Sequence, residues 1–378
     1  MIDLTEEQQM LVDTIEEIAE KEFEEKAFTW DNEVPWENLE LLSDRGFLGL
    51  NIPEKYGGGG LSEIEVLLQI EAIGRVCPDT AFSVYNQSMV GPRAVEMFGT
   101  EAAKEKYLPM ITDAEGMIAI CISEPHAGSD AAAMNTHIEE DDDGELYLNG
   151  EKIWGTDVPD SKAGVVWTYF PDEGLGTVIM DFDSPGVEIN ENYTNMAGGT
   201  QTHFFMEDVH IPEENVLVRG EQAFKEQLKA LNWERCGNAI MSNATALCAF
   251  DRALEYAQER EQFGQPISEF QGIQWKLADM AKHIQAGRAL AHQAVSDAQR
   301  RGGYPDRLQA SMASLYCAEH SEEVVSEALQ IFGATGYQQG HPLEYLYRLA
   351  RGRRIGAGTD ETQKNGIAHV LLNKGGLS

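Results

Sequence analysis

Cysteine is scarce in this chain. Its 378 residues hold five, Cys77, Cys121, Cys236, Cys248 and Cys317, an odd and scattered set. They form neither a disulfide framework nor a metal-binding spacing, which fits a reducing cytoplasm. Long apolar runs are also missing. None approaches the roughly 18 residues of a membrane span, and the first residues, MIDLTEEQQMLVDTIEE, are acidic with a helical period, unlike a secretory signal. Cationic residues are few: 28 Lys and Arg stand against 64 Asp and Glu, a net charge of −36. Such a surface repels nucleic acid. The acids are spread along the chain, with one dense run at Glu139–Asp143, and predict a solvated surface adapted to a very salty cytoplasm that screens self-repulsion. No nicotinamide fingerprint, internal repeat or long linker is visible. The Gly-rich stretch IPEKYGGGG lacks the Lys-Ser/Thr that would make it a phosphate cradle, and reads as a turn that only glycines tolerate.

What is present suffices for two or three packed units, with 42% hydrophobic residues. Residues 1 to about 117 read as helices. Leu4, Leu11, Ile15 and Ile18 form one apolar stripe with Thr5 as a cap. Leu39–Leu50, Glu63–Arg75 and the stretch from Ala81 to Phe98 follow. The pattern changes near Met117. MIAICIS has strand length, and ELYLNGEKIW alternates around Asn149-Gly150, a hairpin signal. Further strands are expected at Gly164–Phe170, Thr177–Phe182, Val187–Asn190 and Thr202–Val209. After Pro212 the chain returns to helix. The expected domains are 1–117 (helical), 118–222 (β) and 223–378 (helical bundle).

The organising stretch is LNWERCGNAIMSNATALCAFDRALEYAQEREQFGQPISEFQ, from Leu231 to Gln271. Ile240, Ala244, Leu247, Phe250, Leu254 and Ala257 form a helical stripe, and Gly264 and Pro266 end it. Glu234-Arg235 and the group Arg260, Gln262 and Phe263 lie roughly 39 Å apart along such a helix, so they serve different sites. Four further stretches carry chemistry. CISEPHAGSD has small residues and hydroxyls that let a backbone approach a flat ring. Lys152-Ile153-Trp154-Gly155-Thr156 sets an aromatic beside a polar Thr. The stretch from Gln330 to Tyr337 and that from Ile355 to Glu361 are Gly-rich turns. Read alone, the first is an ordinary polar turn, Trp154 a core residue, Arg260 a helix-terminal cation and Glu234 one solvated acid among 64.

Together, in this order and over essentially the whole chain, these motifs resemble the FAD-dependent acyl-CoA dehydrogenases. EREQFGQPISEFQ is similar to that family's R-x-x-F-G-x-x-x-x-x-x-Q signature. The resemblance implies a mainly α fold with a β insert: an N-terminal helical domain, a middle β-barrel-like domain and a C-terminal four-helix bundle. It implies that Ile122, Ser123, Gly128, Ser129, Trp154 and Thr156 border the flavin. Arg260, Gln262, Phe263, Gln330 and Ala334 would serve the rest of FAD across subunit interfaces, and the Thr359–Glu361 loop its adenosine half. His126, Gly155-Thr156-Asp157 and Ala334 depart from the usual pattern, and His126 is expected to face solvent.

Many relatives place a catalytic Glu where this chain has Ala357. The resemblance to the isovaleryl-CoA and long-chain subgroup instead implies that Glu234 is the base that takes the α-proton of an acyl-CoA thioester, while flavin N5 takes the β-hydride. The Ala357 N–H would polarise the thioester carbonyl, and Ser129 and Arg235 would contact substrate. Gly237–Met241 and Asn86–Val90 would line the acyl tunnel. The implied setting is fatty acid or branched-chain amino acid catabolism in the cytoplasm, by a homo-oligomer, as a tetramer, that passes electrons to an electron-transfer flavoprotein, with no metal, membrane or nucleic acid. A flavin oxidase or monooxygenase on the same fold, or a non-catalytic acyl-CoA-binding flavoprotein, are the rival readings.

Overall fold

The computed structural model describes residues 4–374. Helices come first: α1 (Glu6–Ile18), α2 (Trp36–Asp44), α3 (Glu63–Gly74), α4 (Pro78–Met89), α5 (Gly91–Phe98) and α6 (Glu101–Thr112). A β region follows, with β1 (Met117–Cys121), β2 (His137–Glu140), β3 (Leu146–Thr156), β4 (Ser161–Phe170), β5 (Gly174–Asp181), β6 (Val187–Thr194), β7 (Thr200–Ile211) and β8 (Val216–Val218). The third region holds α7 (Ala223–Glu259), the two-residue strands β9 (Glu261–Gln262) and β10 (Gln265–Pro266), then α8 (Gln271–Arg301), α9 (Arg307–Phe332), α10 (Pro342–Arg353) and α11 (Asp360–Lys374). The helix–β–helix order is the expected one.

By compactness the chain divides into two units, each assembled from separate stretches. One collects the chain through Trp30, Leu67–Phe82 and everything from Asn232. The other collects Asp31–Val66 and Ser83–Leu231.

In the β-containing unit the strands run β6-β7-β3-β2-β4-β5-β8, with β1 paired parallel to β4. Among the described residues this sheet ends at β6 and β8 and does not close, so barrel-like overstates it. Alternation along the strands splits the burial between two faces. Ile118, Val165 and Ile179 pack with Val95, Leu108 and Ile111 of α5 and α6. Cys121, Val166, Val178 and Met180 face the other way and pack with Leu148, Phe204 and Val209.

Asn149-Gly150 does not turn a hairpin. β3 runs straight through it, paired with β2 on one side and β7 on the other. The β3–β7 register shifts between Leu148 and Gly150, and Asp208 across from it has φ 50°, so the signal marks a bulge. Gly150 is required because a Cβ there would lie 2.6 Å from Thr136 Oγ1. β2 and β8 are too short to leave a periodic signature. The IPEKYGGGG stretch is a turn as expected: a Cβ on Gly58 would lie 2.1 Å from the Ile52 carbonyl oxygen.

In the helical unit, Thr5 caps α1 through a reciprocal pair with Gln8, and Ile15 and Ile18 are buried. Here α9 packs against α8, α10 and α11. The organising helix starts earlier than its apolar stripe suggests. α7 begins at Ala223, so Glu234 and Arg235 sit about three turns inside it rather than near its start.

Candidate functional site

In the β-containing unit, the loop after β1 is clamped to β3. The Ser123 carbonyl accepts from the Ile153 N–H at 2.9 Å, and the Ile122 carbonyl accepts from Lys152 Nζ at 3.0 Å. Glu124 and Lys152 form an ion pair at 2.9 Å with both side chains fully buried. The Glu124 carboxylate also accepts from the Asn135 N–H at 2.6 Å and the Thr136 N–H at 2.9 Å. Burial pushes the Glu124 pKa up, but those backbone donors and Lys152 outweigh it and hold the group below the usual carboxylate range. Burial also draws Lys152 down, against the pull of Glu124.

The clamp leaves most of the residues between exposed, with Ala127 and Met134 buried. Gly128 and Ser129 are exposed, and nothing lies within 4 Å of where a Gly128 Cβ would be. Trp154 is 51% exposed on a left-handed backbone, φ 63°, beside the β3 register shift between Lys152 and Gly155. Its ring lies 5.2 Å from Tyr193. Thr156 is half-buried two residues on. An open aromatic face beside a loop of small residues suits a flat ring system. His126 is exposed as expected, although a ring nitrogen lies 3.2 Å from the Ala133 carbonyl oxygen.

The helical unit holds the second set. Glu234 lies on α7 with Oε2 buried. Burial raises its pKa from 4.5 to about 7, with neighbouring Arg235 opposing. Arg235 is 7% exposed and donates through Nη1 to Asn232 Oδ1 at 2.6 Å. One turn past Glu234, Asn238 donates at 3.3 Å to the Arg353 carbonyl, the end of α10. That bond ties the Glu234 stretch of α7 to the segment that carries Ala357.

The Ala357 segment is tightly determined. Arg354 bridges Asp360 at 2.6 Å and Glu322 of α9 at 2.7 Å. Ala357 has φ 57°, a conformation that costs a residue with a Cβ about 1–2 kcal/mol. The buried Gln363 amide holds it by donating to the carbonyls of Ala357 at 2.8 Å and Gly358 at 3.1 Å. Thr359 accepts from the Thr362 N–H as a first-turn cap of α11, and Glu361 is exposed.

At the far end of α7, β9 and β10 form a tight hairpin with Phe263 (φ 54°) and Gly264 (φ 81°) at its tip. Phe263 is 95% exposed, and Arg260 and Gln262 are exposed beside it. Tyr256 of α7 stacks on Phe332 of α9 with ring centroids 4.0 Å apart. This stack brings the hairpin end of α7 next to the turn that carries Gln330, Ala334 and Tyr337, all exposed. The Glu234 group and the Arg260 group are thus separate within this unit.

Three family models cover nearly all of the chain. They describe the acyl-CoA dehydrogenase N-terminal domain at residues 5–115, middle domain at 119–209 and C-terminal domain at 223–372. The chain belongs to the acyl-CoA dehydrogenase family. It is 34% identical to the "Probable acyl-CoA dehydrogenase YngJ" of Bacillus subtilis, over 98% of this chain and 99% of that one. It is 34% identical to the "Acryloyl-CoA reductase (NADH)" of Anaerotignum propionicum, over 98% and 96%. Among solved structures, it resembles butyryl-CoA dehydrogenase from Megasphaera elsdenii at TM-score 0.92 and 28% identity, over 99% of this chain and 100% of that one. An acyl-CoA dehydrogenase from Bacillus anthracis complexed with FAD gives 0.90 and 26%, over 98% and 67%. A chain solved in work on the electron transferring flavoprotein of Acidaminococcus fermentans gives 0.92 and 31%, over 99% and 100%.

Within this acyl-CoA dehydrogenase fold, sequence reading misses the supports of the site. Lys152 occupies an inward position on β3, in step with Leu146 and Leu148. A lysine in step with buried leucines signals a buried counter-charge, and that clue was available. Gln363 and Asn238 gave no such signal, since a polar residue on a helix is ordinarily solvated.

Proposed function

We propose that Glu234 is the catalytic base of an FAD-dependent acyl-CoA dehydrogenation, as in the isovaleryl-CoA and long-chain subgroup. As a family member the chain is an oxidoreductase acting on CH–CH groups, its cofactor is FAD and its substrates are acyl-CoA thioesters. When bound, FAD supplies the acceptor for the β-hydrogen and its electron pair. The observation that carries the reading is Glu234 itself: a half-buried side chain whose Oε2 is shielded from water and whose proton affinity is raised to about 7, in a chain with Ala at position 357.

Glu234 takes the α-proton, and a base with a pKa near the working pH is both deprotonated and strong enough to do so. The Ala357 N–H donates to the thioester carbonyl and so acidifies the α-carbon. Gln363 and Arg354 hold that segment in the conformation the donor needs. Arg235 and Ser129 contact the thioester. Ile122, Ser123, Gly128, Ser129, Trp154 and Thr156 form the flavin wall. Arg260, Gln262, Phe263, Gln330, Ala334, Thr359 and Glu361 take the rest of FAD at an interface between copies, which accounts for an apolar Phe263 left in solvent.

The finer readings stand with it: domains at 1–117, 118–222 and 223–378, a homotetramer, a cytoplasmic setting in acyl-CoA catabolism, and an electron-transfer flavoprotein as electron acceptor. The net charge of −36 supports salt adaptation, with a thermal midpoint that rises steeply from low to molar KCl. The test of function is anaerobic bleaching of the bound flavin across a panel of straight and branched acyl-CoA thioesters. Bleaching with enoyl-CoA formation is expected. Flavin that stays oxidised throughout, or hydrogen peroxide as the main fate of the electrons in air, overturns the assignment.

A further inference from the structure

Away from these residues, α8 and α9 hold a cluster that the dehydrogenation leaves unused. We propose that His283 of α8, with His320 and Glu323 of α9, binds a divalent cation of the zinc type and clips the two helices together. One ligand atom from each of the three lies within 4.8 Å of the others. Two imidazoles and a carboxylate are a donor set that Zn²⁺, Co²⁺ and Ni²⁺ take, in preference to Mg²⁺ or Ca²⁺. A fourth position is left for water.

The supporting geometry is that of a built site. His320 and Glu323 are spaced i, i+3 on one helix, the arrangement by which helix bundles present a His–carboxylate pair inward. They contact each other at 2.9 Å, with His320 26% and Glu323 58% exposed, so a cation can reach them. His283 Nδ1 lies 3.0 Å from the Tyr316 hydroxyl. When Nδ1 donates there, Nε2 carries the lone pair, and ligand histidines are held by such an outer partner. The His283 and His320 rings are stacked with centroids 3.9 Å apart and planes 17° from parallel.

The charges facing the pair are Asp279 and Lys282 on α8 and Glu323 on α9. The ligands come from two helices with no short spacing between them, so no sequence motif announces them.

The test is Co²⁺ and Zn²⁺ titration of the flavin-loaded enzyme in molar KCl, which screens the general acidic surface. One Co²⁺ per chain with visible d–d absorption is expected, displaced by Zn²⁺ and not by Mg²⁺. His283→Gln, His320→Gln and the well-exposed Glu323→Gln should each weaken binding by about tenfold or more, with flavin reduction unchanged. Zn²⁺ should raise the thermal midpoint of the wild type and not of His283→Gln. Co²⁺ uptake equal in wild type and the His283→Gln/His320→Gln variant, or displacement by Mg²⁺, overturns the site.

Discussion

Two carboxylates shielded from water, each beside a cation, shift in opposite directions. Glu124 in the β-containing unit meets Lys152 and two backbone N–H groups, and it stays ionised below the usual range. Glu234 in the helical unit has Arg235 beside it. The guanidinium is itself drawn down by burial, and the carboxylate rises to about 7. The same side chain is therefore a fixed anion in one place and a proton acceptor in the other. At Glu124 the backbone donors and Lys152 outweigh burial, whereas at Glu234 burial outweighs Arg235.

The comparison can be broken first at its structural end. Lys152→Met leaves Glu124 buried without its counter-charge, held only by the Asn135 and Thr136 N–H groups, a loss of about 3 kcal/mol. Chemical denaturation should show it, with FAD retention falling in parallel. Adding Glu124→Leu should recover part of the stability, because both charges' desolvation costs disappear while the Asn135 and Thr136 N–H groups lose their acceptor. If Lys152→Met unfolds like wild type, the pair is not holding the loop.

A smaller effect is expected from Gln363→Ala. The half-buried Ala357 carbonyl and the exposed Gly358 carbonyl lose the Gln363 donor, worth about 0.5–1.5 kcal/mol per hydrogen bond. Turnover should drop about tenfold, short of the loss of an oxyanion donor itself, while flavin content stays full. Unchanged kcat would mean the segment keeps its shape without Gln363.

The mildest test sharpens the contrast through pH. Glu124 has a lowered folded pKa. Its contribution is present above the unfolded value and is lost as pH falls through the folded one. Glu234 has a raised folded pKa, so its contribution is present below 4.5 and is lost as pH rises through about 7. Glu234→Gln should therefore be more stable than wild type at pH 8, with the gap in thermal midpoint shrinking towards pH 5. A gap that grows on acidification would reverse the sign and refute the raised pKa.

The fold was legible where periodicity is long. The helices around the β region, the strands β1 and β4 to β7, and the C-terminal end of α7 all announce themselves in the sequence pattern. Asn149-Gly150 misled because a bulge and a hairpin use the same backbone freedom, and only the partner strands distinguish them. Sheet closure was not legible either, since it depends on which edge strands pair. For the site, the motif residues were readable through resemblance, while Gln363, Asn238, Arg354 and the Lys152–Glu124 clamp act through contacts between distant stretches. Glu234 is the instructive case: its sequence neighbourhood is that of any acid, and burial alone sets its proton affinity apart.

The central claim is that Glu234 accepts the α-proton. It is tested most directly by anaerobic single-turnover flavin reduction, followed from about pH 5.5 to 8.5 with wild type and Glu234→Gln. The account predicts a wild-type rate that climbs with pH through about 7, and a variant rate lower by about 10²–10⁴ and flat with pH, with FAD and acyl-CoA still bound. A variant that reduces its flavin at near wild-type speed, or keeps the wild-type pH profile, would contradict it.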